Sequence, residues 1–197
     1  MKKVILGKTG MEVTELCFGA LPFGPLQKNL KPEESAEILS YALDLGINFI
    51  DTAQMYKTYE PIKLALAGRK DRPIIATKTH CLTYKDAEYA VNEALEGMGI
   101  DYIDIFLLHS ARNGVDAFEL KKDVLDCLKK YKEKGIIKAV GISAHNVKLV
   151  EAAAYRDDID IVFPLINKVG RGILEGSIED MKNAIALCEK NGKGIYL

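Results

Sequence analysis

Residues 83–109 read TYKDAEYAVNEALEGMGIDYIDIFLLH: an amphipathic stretch, a glycine and then a short apolar run. Thr83, followed three positions later by Asp86, is typical of a helix start, and Gly99 is typical of a helix end. The apolar run over residues 103–108 predicts a buried strand. This segment therefore predicts a helix followed directly by a strand.

The same unit recurs along the chain. Further amphipathic stretches end at Gly46, Gly135 and Gly192, and a short apolar run follows each of them. The spacing between strand starts averages about 29 residues, as a strand–helix repeat requires. Strands of nearly continuous apolar residues that alternate with helices predict a parallel sheet buried on both faces. Candidate strands begin near residues 17, 48, 73, 103, 139, 160 and 194.

Two parallel architectures are compatible with this repeat, an open doubly wound sheet and a (β/α)8 barrel. The open sheet would carry G-x-G-x-x-G after its first strand, which residues 19–24, Gly-Ala-Leu-Pro-Phe-Gly, do not supply. Residues 7–9 resemble the end of a phosphate-binding loop, but Lys2 stands where its leading glycine belongs. The α/β fold class is therefore predicted to be a (β/α)8 barrel, preceded by an N-terminal β-hairpin over residues 3–14.

The chain is short for a complete (β/α)8 barrel. A (β/α)8 barrel typically takes about 250 residues and eight strands, whereas this chain has 197 residues and seven candidate strands. We expect residues 1–197 to form a single barrel domain that lacks its C-terminal portion.

Composition argues against several classes of protein. Lys and Arg number 27 against 28 Asp and Glu, a net charge of −1 with no basic block, which disfavours a nucleic-acid or membrane surface. The four cysteines contain no C-x-x-C pair, as expected of reduced thiols. Neither a signal peptide nor a membrane-length apolar run is present, so we expect a cytoplasmic protein. The sequence does not indicate an oligomeric state.

Polar residues follow four successive apolar runs. They are Asp51, Lys78, His109 and Ser143, and the loop after Asp51 adds Tyr56. Each of the four could have an ordinary structural role as a cap, a barrel-mouth lysine, a core histidine or a turn residue. In a (β/α)8 barrel, however, the active site lies at the carboxyl ends of the strands. Together these residues predict a catalytic site on that rim.

The residue types indicate acid chemistry at a carbonyl. A tyrosine can donate a proton to a carbonyl oxygen, but its ordinary pKa of about 10 is high for that purpose. An ammonium nearby lowers a phenol pKa, and a carboxylate keeps the ammonium charged. Tyr56, Lys78 and Asp51 form such a set, and His109 would orient the carbonyl with a hydrogen bond.

Five segments resemble, in order, the aldo-keto reductase superfamily, and the resemblance extends over the whole chain. It implies reversible hydride transfer between NADPH and an aldehyde or ketone, with a small-molecule carbonyl compound as substrate. Within that scheme Tyr56 is the general acid, Lys78 and Asp51 tune it, and His109 positions the carbonyl. The segments are residues 6–20, residues 46–53 with Tyr56 and Glu60, residues 76–78, residues 101–109 and residues 134–143.

The resemblance also implies cofactor contacts. Ser143 corresponds to the residue that hydrogen-bonds the nicotinamide carboxamide, and Gly19, Ala20 and Asp51 border the cofactor. Two positions depart from the family pattern, since Ala144 stands where asparagine is usual and Phe163 where glutamine often holds the carboxamide. Either the hold on the nicotinamide is altered, or Asn167 compensates.

Residues 167–170 resemble a subgroup whose full-length members often carry a C-terminal iron–sulfur domain. The sequence contains no corresponding cysteine cluster.

Other functions compete with this one. A metal site from His80, His109, His145 and Asp51 is conceivable, but familiar metal-binding spacings are absent, so no metal is predicted. Lys78 could instead form a Schiff base in a lyase. A non-enzymatic module that senses a nucleotide without turnover is the third alternative.

Overall fold

The computed structural model describes all of residues 1–197. Its strands form an antiparallel pair and a seven-stranded sheet that is parallel throughout. The pair consists of β1 (Lys3–Ile5) and β2 (Glu12–Thr14). The large sheet consists of β3 (Phe18–Gly19), β4 (Phe49–Asp51), β5 (Ile74–Thr79), β6 (Ile103–Ser110), β7 (Ile137–Ala144), β8 (Ile161–Pro164) and β9 (Gly194–Ile195).

The strands of the large sheet follow one another in chain order from β3 to β9. A doubly wound sheet reverses its strand order at a switch point, whereas a barrel winds in one direction. The sheet is therefore a curled, incomplete (β/α)8 barrel with an N-terminal hairpin, which confirms the predicted fold. β3 and β9 form its two edges.

Helices connect the strands, and local sequence explains how several of them begin and end. The Thr83 hydroxyl accepts from the Asp86 amide at the start of the third helix, and Gly99 ends it with φ of 64°. Ser177 and Asp180 form a reciprocal capping box on the last helix. The helices are α1 (Pro32–Asp44), α2 (Tyr59–Leu66), α3 (Tyr84–Met98), α4 (Ala117–Leu120), α5 (Lys122–Glu133), α6 (Val147–Ala154) and α7 (Ile178–Lys190). The predicted repeat did not include α2 and α6.

Alternation along each strand divides the buried residues into two layers. In β6, Phe106 and Leu108 belong to the larger cluster between sheet and helices, whereas Ile105 and Leu107 belong to an inner cluster. The inner cluster fills the barrel and consists of Leu6, Val13, Phe49, Ala76, Ile105, Leu107, Ala139, Ile161 and Tyr196.

The N-terminal hairpin closes one end of the barrel. Leu6 and Val13 contribute to the inner cluster, and the Lys8 amide donates to the Gly192 carbonyl just before β9. Because β9 begins at that end, the hairpin covers the amino ends of the parallel strands. The carboxyl ends lie opposite, where the predicted site residues are. No helix has the length and apolar character needed to cross a membrane.

Candidate active site

The predicted site residues lie on the inward face of the barrel. In β6 and β7, His109 and Ser143 continue the inward alternation, and the two are register partners. Lys78 holds the equivalent position in β5, and Asp51 is the last residue of β4. The barrel thus brings four strand ends to one rim, as predicted. A cavity of about 210 Å³ opens there, lined by Tyr56, Lys78, His109, Ser143, His145, Phe163 and the segment after it.

Lys78 and Asp51 form a buried ion pair at the base of this cavity. The Lys78 Nζ donates to Asp51 Oδ1 at 2.8 Å, to Oδ2 at 2.7 Å and to the Thr52 carbonyl at 2.9 Å. Burial raises the pKa of the Asp51 carboxyl and lowers the pKa of Lys78, while each charge favours the ionised form of the other. With three acceptors around it, the nitrogen has no free lone pair, so the geometry does not support the Schiff-base alternative.

A second donor to Asp51 was missed by the sequence analysis. The Tyr196 hydroxyl donates to Asp51 Oδ1 at 2.8 Å. Its ring stacks on Phe163 at 4.3 Å between centroids and meets the edge of Phe49 at 5.0 Å. The one available signal is that Tyr196 shares the strand parity of Gly194, two positions earlier at the start of β9.

Tyr56 lies beside the ion pair, on a short 3-10 turn of residues 54–56. The Lys78 Nζ is 4.8 Å from the centroid of the Tyr56 ring. Burial and then the Asp51 charge raise the pKa of the Tyr56 phenol. The structure therefore does not show the expected lowering of this pKa, because burial and the Asp51 charge both act in the opposite direction.

His109 lies on the opposite wall, with its ring 6.2 Å from that of Tyr56 and nearly perpendicular to it. Burial lowers its pKa to about 2, with further contributions from His80, Lys78, Lys121 and His145, so the imidazole is neutral at pH 7. Nδ1 is buried without a hydrogen-bond partner. Because a buried unpaired N–H is costly, we place the proton on Nε2, where it can be donated into the cavity.

The other two histidines also belong to this site. His80 stacks on His109 with 3.8 Å between ring centroids, and its Nε2 lies 3.1 Å from the Met55 sulfur. His145 lines the cavity directly. The structure contains no group of three His, Cys, Asp or Glu side chains arranged to hold a metal ion.

Of the residues predicted to contact a cofactor, some lie at the cavity and one, Asn167, does not. Ser143 lines the cavity. Gly19 is the register partner of Asp51, and the Ala20 amide donates to the Asp51 carbonyl at 2.8 Å. Asn167 does not line the cavity, because its side chain accepts from the Val169 and Arg171 amides and donates to the Arg171 carbonyl. A cofactor role for Asn167 stays a prediction that this geometry does not favour.

The chain is similar in sequence to several known proteins. The chain is 29% identical over 152 residues to L-galactose dehydrogenase of Arabidopsis thaliana, covering 70% of this chain and 47% of that protein. It is 28% identical over 141 residues to the methylglyoxal reductase DkgA of Escherichia coli, covering 70% of this chain and 49% of that protein. The chain thus spans about half the length of the curated relatives it matches.

A solved structure described as an aldo-keto reductase from Pseudomonas aeruginosa superposes with a TM-score of 0.84 at 27% identity, covering 98% of this chain and 76% of that one. The model of the Aldo/keto reductase family matches residues 15–196. Because this match takes in both the barrel and the rim residues described above, the chain belongs to the aldo/keto reductase family.

Proposed function

We propose that this protein transfers a hydride between NADPH and an aldehyde or ketone, with Tyr56 as proton donor. The observation that carries the proposal is the convergence of Tyr56 and His109 on one cavity above the Lys78–Asp51 pair. NADPH supplies the hydride to the carbonyl carbon when it is bound. Reduction then requires one proton at the carbonyl oxygen, and that proton comes from the protein.

Tyr56 meets this requirement because a phenol, with an ordinary pKa of about 10, is protonated at neutral pH, and burial raises the pKa of Tyr56 further. When the proton passes to the carbonyl oxygen, a phenolate forms next to the Lys78 ammonium. The charge of that ammonium stabilises the phenolate only at this stage, when negative charge has developed. His109 donates from Nε2 to the same carbonyl oxygen and holds it near the phenol.

The cavity also suits the nicotinamide end of the cofactor. The Ser143 side chain lines the cavity, and its hydroxyl is of the type that can bond a carboxamide. We propose that Ser143, with Gly19, Ala20 and Asp51, holds the cofactor at the strand ends. Oxidised and reduced substrates are then small carbonyl compounds and alcohols.

The test is Tyr56→Phe, assayed by NADPH oxidation with benzaldehyde and other simple aldehydes. We expect kcat to fall by about 10²-fold to 10⁴-fold, because the phenol proton is lost, while the Kd for NADPH changes less than about twofold. Tyr155→Phe is the matched control, since Tyr155 is exposed and does not line the cavity.

Unchanged turnover in Tyr56→Phe would overturn the assignment of Tyr56. If the wild-type chain binds NADPH but reduces no aldehyde, the nucleotide-sensing alternative is favoured instead.

A further inference from the structure

The loop that carries Tyr56 contains a backbone conformation that is unfavourable for its sequence. Lys57, directly after Tyr56, is left-handed with φ of 55°, which costs free energy in a residue other than glycine. The ends of the loop are joined, because the Thr52 and Thr58 hydroxyls lie 2.7 Å apart. The turn between those ends needs support from other parts of the fold.

A carboxylate on helix α3 supplies this support. Glu93 Oε2 accepts from the Gln54 Nε2 at 2.7 Å, and Glu93 Oε1 accepts from the Lys57 Nζ at 3.2 Å. Gln54 begins the short 3-10 turn that ends at Tyr56, and Lys57 follows it. One side chain of α3 therefore bridges the turn from its first residue to the residue after its last.

The two bonds to Glu93 differ in strength. The Lys57 side chain is 61% exposed, and an exposed ion pair contributes little to stability. The Glu93 side chain is 25% exposed, and the shorter bond from Gln54 to its charged oxygen is of the stronger, charge-assisted kind. The main connection between Glu93 and the turn is therefore the one through Gln54.

Gln54 also connects the turn to the strand that carries Lys78. Its Oε1 accepts from the Thr79 hydroxyl at 2.5 Å, and Thr79 directly follows Lys78 in β5. Because the Gln54 amide accepts at one end and donates to Glu93 at the other, its orientation is fixed. These contacts hold the turn at one position relative to Lys78.

We propose that Glu93 is a positioning residue, which acts through Gln54 to hold Tyr56 where it can pass its proton to the carbonyl oxygen. The inference rests on the proposed function, because it takes Tyr56 as the proton donor. Glu93 does not line the cavity, and the charge that shifts the Tyr56 pKa is that of Asp51. The effect of Glu93 is therefore on geometry, and a small misplacement of a catalytic group lowers the rate strongly.

The hold on the turn is tested first, without turnover. The Tyr56 amide donates to the Ala53 carbonyl at 2.9 Å, so its hydrogen exchange, followed by NMR, reports opening of the turn. In Glu93→Ala we expect this exchange to be at least about tenfold faster. Alanine favours a helix, so α3 is retained. Glu96→Ala, at an exposed position one turn further along α3, is the matched control and should leave the exchange rate unchanged.

Turnover is measured in the same variants with NADPH and benzaldehyde. We expect Glu93→Ala to lower kcat by about 10-fold to 10²-fold, while the Kd for NADPH changes less than about twofold. Glu93→Gln keeps an oxygen at the same reach for the Gln54 amide, so it should restore kcat to within about threefold of the wild type.

A double-mutant cycle tests whether Glu93 acts through Gln54. Gln54→Ala alone should lower kcat by about as much as Glu93→Ala does. When Gln54→Ala is already present, adding Glu93→Ala should lower kcat by less than about a further twofold, because the shared contact is gone. Losses that multiply would show that Glu93 acts independently of Gln54 and would overturn the inference.

The remaining outcomes separate this inference from the proposed function. Unchanged exchange and unchanged kcat in Glu93→Ala would overturn the inference and leave Tyr56 as the proton donor. Faster exchange with unchanged kcat would also overturn it, because the hold on the turn would not serve the reaction. If the wild-type chain reduces no aldehyde, the reductase function is overturned, while faster exchange in Glu93→Ala would still support the hold of Glu93 on the turn.

Discussion

The Tyr196 hydroxyl donates to Asp51 Oδ1, the same carboxylate oxygen that accepts from Lys78. The two residues are 145 positions apart in the chain. Asp51 ends β4, next to one edge of the sheet, while Tyr196 directly follows β9 at the other edge. The hydrogen bond therefore crosses the barrel interior and joins the two sides of the incomplete barrel at the ion pair.

Tyr196→Phe tests the stabilisation that this bond provides. A hydrogen bond to a charged group contributes about 1.5–3 kcal/mol, and phenylalanine keeps the ring packing on Phe163. We expect the free energy of unfolding, measured in urea, to fall by about 2 kcal/mol. Tyr155→Phe serves as the control because Tyr155 is 71% exposed; an equal loss in both variants would contradict the prediction.

The Lys78–Asp51 pair should show strong coupling in a double-mutant cycle. Removing one partner leaves a buried charge unpaired, which costs about 3–5 kcal/mol. We therefore expect Asp51→Asn and Lys78→Met each to lower the free energy of unfolding by about that amount. The double variant should lose clearly less than the sum of the two. Additive losses would show that the pair is not coupled in solution.

His109 should make the protein less stable in acid. Its pKa is about 2 in the fold but about 6.5 in an unfolded chain, so below pH 6.5 only the unfolded state gains its proton. Lowering the pH from 7 to 5 should therefore cost up to about 2 kcal/mol through this residue.

The measurement is urea unfolding of the wild type and His109→Gln at pH 7, 6 and 5. The variant should lose less stability over this range. Parallel pH dependences would rule out a neutral, buried His109.

Replacing Gly141 by alanine should destabilise the protein, because there is no room for a methyl group at this position. A Cβ there would lie 2.2 Å from the Ile161 carbonyl oxygen and 2.7 Å from a Leu107 methyl carbon inside the barrel. We expect Gly141→Ala to lower the free energy of unfolding by about 1–3 kcal/mol, the usual cost of overpacking. At Gly19 nothing lies within 4 Å of such a Cβ, so Gly19→Ala should leave stability unchanged. Similar melting temperatures for the two variants would contradict the prediction.

Local patterns accounted for much of the fold. Helix α3 could be predicted because its start and end depend on residues a few positions away, Thr83 with Asp86 and then Gly99. The inward positions of His109 and Ser143 followed from the alternation of side chains along a strand. Helices α2 and α6, of eight residues each, were not predicted; α6 carries no terminal glycine to mark its end.

The sequence predicted which residues form the candidate site, but not their contacts or their pKa values. The pKa of Tyr56 is raised and not lowered as expected, because burial of the phenol and then the Asp51 charge act on it, and both depend on tertiary packing. Asn167 was expected near the cofactor, but its amide is bound within its own loop. Tyr196 lies 145 positions from Asp51, and no local pattern predicts the hydrogen bond between them.

By itself the sequence determined the repeat of helices and strands, the barrel that this repeat forms and the four polar strand ends, because these depend on periodicity and on neighbours close in the chain. Only the tertiary structure decided the partners of those strand ends. Tyr196 reaches Asp51, His80 stacks on His109, and Gln54 donates to Glu93. These contacts join residues far apart in the chain, and their geometry sets the charges and hydrogen bonds on which the proposed chemistry depends.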